Sequence, residues 1–537
     1  TLDALGVRQV EIVLLTHHHR DQASRLGPLA ASGTRIYVPA EERTWVEDVE
    51  SYWTDPAHRW HLYDFRPHNL MLARSLPVHA ACQGGDVLQW GGARLTVIDT
   101  PGHTEGSLSY LVEVGEARVL FCGDLIYGPG QVWDLYSLQK GWLTKDYHGF
   151  LGGRGQLLSS ARRAVEAGAE MWAPSHGTLI EEPAAAVELL GQRLDEVYER
   201  YAAISALRHY FPGLFREFRV RPPKGERRQR DDCLRWPKAF MPLSEELPVS
   251  GFLRHIGTTW LVLSEEGSAL AVDCGTEEVM RQVQAMREKG ELSSVEGLWI
   301  SHYHDDHVDA IPQFRAAFGC PVIADEHVAQ VVERPLAWRL PCISPVRVPV
   351  DRITRHGESW TWREFTLTAY HLPGQTEYHG GLLVEGRGRR VLLCGDSFTM
   401  AGIDDYCAGN RNWLGPGVGF EACLDLLETV QPDLILNCHV DVGWAFSAGQ
   451  LAAMRANLVE RARLYRDLLP WDDPNYGLDE AWVRCDPYEQ HVASGGEVRV
   501  EVVITNHSAG PRDAVCRPVL PEEWSLDVGP RAACGPA

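Results

Sequence analysis

Residues 101–124, PGHTEGSLSYLVEVGEARVLFCGD, and residues 373–396, PGQTEYHGGLLVEGRGRRVLLCGD, align without a gap and agree at about half of their positions. A match of this length inside one chain is an internal repeat, and it limits the fold more than any isolated motif does. The features around it keep the same order. In the first copy VEIVLLTHHHRDQ precedes PGHT, LFCGD and APSHG; in the second VEGLWISHYHDDH precedes PGQT, LLCGD and LNCHV. A chain of 537 residues is also too long for one ordinary core. The repeat divides it into a first domain at 1–210, a Pro-, Arg- and Gly-rich linker at 211–245 and a second domain at 246–470.

Each chemical feature follows a short apolar run that reads as a buried strand: VEIVLL, LTVID, ARVLF and MWAP, then VEGLWI, FTLTAYHL, RRVLL and LILN. A helical pattern follows each distal histidine. Val187, Leu190, Leu194, Val197, Tyr201 and Ile204 hold that spacing in one copy, and Leu451, Met454, Leu458, Ala462 and Tyr465 in the other. Strands that deliver chemistry at their ends, with helices packed outside, indicate an α/β sandwich with its site at one strand edge. The second copy has a lead-in of strands, FLRHIGTTWLVLSEEGSALAVDCGT, whose counterpart would lie before Thr1, so the first domain is expected to be truncated at its N-terminus. After PWDDPNYG, the alternation in EVRVEVVITNHSAG reads as the start of an all-β, Ig-like sandwich, partial over 478–537.

Composition narrows the function. The formal net charge of −22 disfavours nucleic acid as a partner, and the one basic cluster, RPPKGERRQRDD, carries its own acids. No run is apolar enough to span a bilayer, so no membrane partner is expected. The opening residues carry no signal-peptide pattern. The 13 cysteines are scattered, several inside apolar runs (Cys122, Cys274, Cys394), which suits buried thiols in a reducing compartment and a cytoplasmic location. The expected partner is a small-molecule substrate; the oligomeric state is left open.

An HxHxD run at the end of a strand places two imidazoles on one side, His17 with His19 and His302 with His304. Neutral imidazole suits Zn and Fe, and a nearby carboxylate completes a mixed donor set. A lone HxH is weak evidence, but here the run recurs with a GD and a further histidine each time. The order HxHxDH, PGHT, GD and a distal His resembles the metallo-β-lactamase superfamily, over nearly all of residues 1–210 and 246–470. The resemblance implies an αββα sandwich in two tandem copies and a binuclear metal site, but no particular substrate.

In that family one metal takes the histidines of HxH and GHT, the second takes the Asp and His of DH with the distal His, and the Asp of GD bridges them. Carried over, the first copy would use His17, His19 and His103 for one metal, and Asp21 and His176 for the other, with Asp124 between; Gln22 stands where the family has histidine. The second copy would use His302 and His304 for one metal, with Gln375 in place of histidine, and Asp306, His307 and His439 for the other, with Asp396 between. The two departures fall on opposite metals, and a Gln carbonyl ligates Zn-like ions more weakly than imidazole does. His379 is four residues past Gln375, as a substitute ligand or as a residue behind the ligands.

The implied cofactor is Zn2+, one or two per domain, with Fe or Mn as the other ions of this donor chemistry. The implied reaction is hydrolysis by a metal-activated water, oriented by Asp21 or Asp306. The substrate expected is a small ester, thioester, lactone or amide. Asp134, Tyr136, Trp142, Asp405, Tyr406 and Trp413 follow the two GD motifs and could line the mouths, with packing under the loops as the equal alternative. The His- and Trp-dense stretch SYWTDPAHRWHLYDFRPH reads as loop or core packing, with a lid over the first site as the functional alternative. Two other readings stand beside hydrolysis. One is an Fe-dependent sulfur dioxygenase in the first domain; the other is one domain kept as a non-catalytic scaffold or sensor.

Overall fold

The fold is that of a computed structural model, which describes residues 3–63, 70–135, 138, 153–212, 240–405, 411–516, 518, 520 and 524–525. Tyr136, Trp142 and Tyr406, the basic cluster and most of the expected linker lie outside the described residues.

Each half contains a five-stranded sheet of the same order. In the first half Val87–Trp90, Ala93–Asp99, Leu108–Val114 and Ala117–Gly123 run antiparallel, and Met171–Pro174 adds in parallel. In the second the order is Glu358–Trp362, Phe365–His371, Gly380–Gly386, Arg389–Leu393 and Leu434–Leu436, again closed by a parallel strand. Two-residue turns join the first and third hairpins of each sheet, and Gly91-Gly92, both at positive φ, makes the first of them without a Cβ clash.

The facing sheets differ in size. Ile12–Leu14, Arg35–Pro39 and Ala80–Cys82 form three parallel strands. Their counterparts Ser294–Ile300, Val322–Asp325 and Arg352–Thr354 sit in a six-stranded sheet that also holds Leu253–Ile256, Thr259–Leu263 and Ser268–Val272. Strand period decides what this sheet buries. Leu261, Ala269 and Ala271 pack with Val279 and Phe314 of the covering helices, whereas Trp260, Val262, Leu270 and Val272 face Phe365, Leu367 and Leu382 of the other sheet. Helices outside, two sheets inside: the chain is a tandem pair of αββα sandwiches.

The halves do not keep separate cores. Helices Pro183–Ala203 and Ala448–Leu468 pack on each other. Leu120, Trp172 and Leu190 of the first half share one apolar cluster with Leu392, Phe420 and Met454 of the second. All the apolar residues expected on the inner faces of these two helical stretches are buried. Ala206 and Ile403 bond across the halves as well, the Ala206 N–H donating to the Ile403 carbonyl at 2.7 Å.

After the second half the described residues form an antiparallel ribbon of Val483–Asp486 and Glu501–Ile504. It is tied down by Arg411, whose guanidinium makes a buried two-point bond to Asp479 at 2.9 and 3.0 Å. Cys122, Cys274 and Cys394 are buried free thiols. No helix among the described residues is long and apolar enough to cross a membrane.

Candidate metal centres

In both halves the HxHxD run leaves the end of a parallel strand and turns into a short helix, Arg20–Ala23 or Asp305–Val308. The alternation persists up to that turn. His302 and His304 face the sheet interface, while Tyr303 between them joins the apolar cluster under the helices. In the first half the middle residue, His18, turns away to Glu42, which accepts from its backbone N–H at 2.7 Å and lies 2.8 Å from its Nδ1. Glu42 also accepts from the Gly106 N–H at 3.0 Å, so one buried carboxylate pins the HxH run to the PGHT loop.

His17, His19 and His103 bring their donor nitrogens within 4.8 Å of one another, and each pair of rings is 4.8 Å apart at the centroids. Asp124 lies beside this triad, its Oδ2 3.5 Å from His17 Nε2 and 3.6 Å from His103 Nε2. Its Oδ1 is 2.9 Å from His176 Nδ1, and His176 Nε2 is 3.3 Å from Asp21. Asp124 therefore stands between three histidines on one side and the Asp21–His176 pair on the other. Gln22 directs its amide nitrogen to Asp21 Oδ2 at 3.0 Å.

In the second half Asp396 Oδ2 is the common point. It lies 3.1 Å from His439 Nε2, 3.2 Å from His307 Nε2 and 3.7 Å from His302 Nε2. Asp306 Oδ2 is 3.2 Å from His439. Two groups compact enough for one ion each result: His302, His304 and Asp396, and Asp306, His307 and His439. Gln375 is buried next to them with its Oε1 unpartnered. His379 is stacked against the His302 ring at 4.8 Å and 18°. Its Nδ1, like the Gln375 oxygen, is buried without a hydrogen-bond partner.

The donor set fits divalent metal. Nε2 of His17, His302 and His307, Gln375 Oε1 and Asp396 Oδ1 are all buried without a hydrogen-bond partner. Leaving such atoms unsatisfied costs about 1–3 kcal/mol each, which an ion held in each centre would offset. Burial, with His103 beside it, lowers the His17 pKa to about 4. Burial and His307 push His302 well below its usual value. Both imidazoles thus keep the lone pairs that ligation needs. Asp396 raises His439 to about 10, a proton that a cation between them would displace.

Sequence reasoning missed Asp273, which ends the strand Ser268–Val272 with φ at 65°. It is fully buried and accepts from Ser301 N and Oγ at 2.7 and 2.6 Å, and its Oδ2 lies 2.9 Å from His307 Nδ1 and 3.3 Å from Cys438 Sγ. It fixes the outer nitrogen of His307. The only signal was an acid closing an apolar run, ALAVDCG. The following Gly275 is required by close approach, since a Cβ there would meet the Asp306 carbonyl oxygen at 1.6 Å.

The residues expected at the mouths separate. Asp134 is buried beside the first centre, and burial pushes its pKa up to about 6. Asp405 is not at a mouth; it is buried against Arg461 at 2.6 Å, where core packing drew in both charges together. Trp413 packs edge-on against His507 of the C-terminal segment at 5.1 Å. Trp133, missed in the sequence, stacks on His176 at 4.2 Å and 15° and is itself covered by Trp471 at 4.7 Å. The His- and Trp-dense stretch, read as loop or core packing with a lid as its alternative, makes packing contacts: Tyr52 is buried and stacks on His58 at 4.6 Å. The part of that stretch that the structure describes reaches the second half, where His61 and Tyr63 bond Asp305.

The model of the metallo-beta-lactamase superfamily matches residues 1–176 and 254–436. A hydroxyacylglutathione hydrolase of Shewanella baltica is 29% identical over 119 residues, 22% of this chain and 34% of that protein. One from Albidiferax ferrireducens is 31% identical over 131 residues, 24% of this chain and 39% of that protein. The chain therefore spans between about a third and two fifths of the length of these curated relatives. Among solved structures, a native metallo-β-lactamase of Legionella gormanii gives a TM-score of 0.32 at 15% identity, covering 42% of this chain and 98% of that one. The Cronobacter sakazakii metallo-β-lactamase described by its HARLDQ motif gives 0.30 at 20% identity, covering 44% and 90%. With a family match over more than half of its length and histidine and aspartate donors gathered at two strand edges, this chain belongs to the metallo-β-lactamase superfamily.

Proposed function

We propose that the chain is a Zn-dependent hydrolase of a small thioester or ester, with lactones and amides in the same reaction class, and that the second half carries turnover. The observation behind this is the position of Asp396, whose Oδ2 is within 3.7 Å of His302, His307 and His439 at once. One carboxylate shared by two compact donor groups is a two-ion layout. In this reading His302, His304 and Gln375 hold one ion, Asp306, His307 and His439 the other, and Asp396 lies between. The bound ions supply Lewis acidity and bring the pKa of water toward neutrality. Asp306, whose side chain is 36% exposed, accepts a hydrogen bond from the attacking water and orients it. Neutral His302 and His304 hold the first ion position without spending protons. The preference for a thioester is supported by the hydroxyacylglutathione hydrolases among the relatives.

The first half is read as a one-ion centre of His17, His19 and His103. Its Asp21 is engaged by Gln22, and this favours as a second reading a mononuclear Fe(II) centre acting on a sulfur substrate, or a structural metal site. We also read 1–210 and 246–470 as the two domains and the C-terminal ribbon as the first pair of a β-sandwich.

The test is metal content by mass spectrometry together with turnover of S-acylglutathiones and a panel of esters, lactones and amides. The wild type is compared with His17→Ala and His302→Ala. Zn-dependent thioester cleavage lost in His302→Ala and kept in His17→Ala supports the reading. Full turnover in His302→Ala, or none in the Zn-loaded wild type, overturns it. Iron that is lost only in His17→Ala would move the first half to the oxygenase reading.

A further inference from the structure

The second centre is not built from the second half alone. Asp305 is buried at the start of the helix Asp305–Val308, which carries Asp306 and His307. Its Oδ1 accepts from the Asp306 N–H at 2.9 Å and from the Tyr63 hydroxyl at 2.7 Å; its Oδ2 lies 2.8 Å from His61 Nδ1. The two aromatic partners come from the first half, more than 240 residues away in sequence. Backbone bonds hold their loop in place. The His61 N–H donates to the Ile343 carbonyl at 2.9 Å, the Cys342 N–H to the Leu62 carbonyl at 3.2 Å, and the Asp305 N–H to the Cys342 carbonyl at 2.9 Å. His61 adopts φ of 53° to make this approach.

An acid at a helix start needs only its own helix's N–H groups to act as a cap. Here the outward lone pairs of Asp305 are taken up by two side chains from the other half, while the inward one holds the backbone of Asp306. At the same place in the first half stands Arg20, which is exposed. The clamp is therefore not a requirement of the fold; it belongs to the second centre.

We propose that His61 and Tyr63 are positioning residues of the second half's metal centre, supplied in cis by the first half. By immobilising Asp305 they set the position of Asp306 and His307 toward the ion. This rests on the reading of that centre as a metal site, but not on any substrate.

The test uses the full chain with His17→Ala and His19→Ala, so that zinc reports only on the second centre. Zn2+ affinity is measured by competition with a chromophoric chelator for this parent and for added Tyr63→Phe, His61→Ala and His61→Asn. Residues that orient metal ligands typically carry about 10–100-fold in affinity. A loss of at least about tenfold is expected for Tyr63→Phe and His61→Ala, with recovery in His61→Asn, which restores a donor. Tyr63→Phe removes one oxygen and leaves every backbone bond of the loop, so it decides the matter if His61→Ala does not fold. Zinc affinity within about twofold of the parent in Tyr63→Phe overturns the clamp and leaves the metal centre standing. No zinc on the parent overturns the metal reading and the clamp together.

Discussion

Gln22 donates its side-chain amide to Asp21 Oδ2 across 3.0 Å. In the second half His307 occupies this place and meets Asp396 at 3.2 Å. In the two-ion reading, the exchange leaves the second position of the first centre with Asp21, His176 and Asp124. Replacing Gln22 by His is expected to raise bound zinc by about one ion per chain, measured by mass spectrometry after dialysis. An unchanged metal content would mean that the donors on this side do not converge on an ion.

Asp273 holds His307, Ser301 and Cys438 from a fully buried position. Asp273→Asn keeps the volume and removes the charge. It should weaken zinc at the second centre by about 10–100-fold and leave the first centre intact. Chelator competition in His17→Ala and His302→Ala backgrounds separates the centres; an equal loss in both would argue for general destabilisation.

Glu296 gives the clearest pH prediction away from the metal sites. It takes up the Arg363 guanidinium, Trp362 Nε1 at 3.0 Å and Ser268 Oγ at 2.9 Å. The Arg363 bond leads in lowering its pKa from 4.5 to about 2. A carboxylate depressed in the folded state stabilises fully above its unfolded pKa and loses that contribution as pH falls through the folded one. The stability gap between wild type and Glu296→Gln is therefore expected to be largest at neutral pH and to close between pH 4.5 and about 2. Urea titrations across that range check it; a gap independent of pH would rule out this ionisation as its source.

Leu190 and Met454 are both fully buried in an apolar cluster that spans the halves. Leu190→Ala should cost about 2–5 kcal/mol. Because the cluster is shared, hydrogen exchange should rise in Ala448–Leu468 as well as in Pro183–Ala203. Faster exchange confined to the first half would show that the halves unfold independently.

Much of the architecture was legible in the linear order. The strand runs, the two long helices and the HxHxD positions depend on periodicity and local turns, and the same donors recur in both copies. The alternation that sends His302 and His304 one way and Tyr303 the other is a property of extended backbone and needs no tertiary information. Asp405 shows where this stops. Its sequence environment matches that of a mouth residue, but Arg461, from a helix over 50 residues later, draws it into the core as an ion pair.

By itself, then, the amino-acid order pointed to a duplicated α/β sandwich, and its resemblance to the metallo-β-lactamase superfamily supplied the two expected donor sets and the departures at Gln22 and Gln375. Tertiary structure alone decided that the halves share a core, that Asp273 holds His307 and that His61 and Tyr63 reach Asp305. These are contacts between residues far apart in the chain, set by which surfaces exclude water together and which buried carboxylates then need partners. No local pattern encodes them.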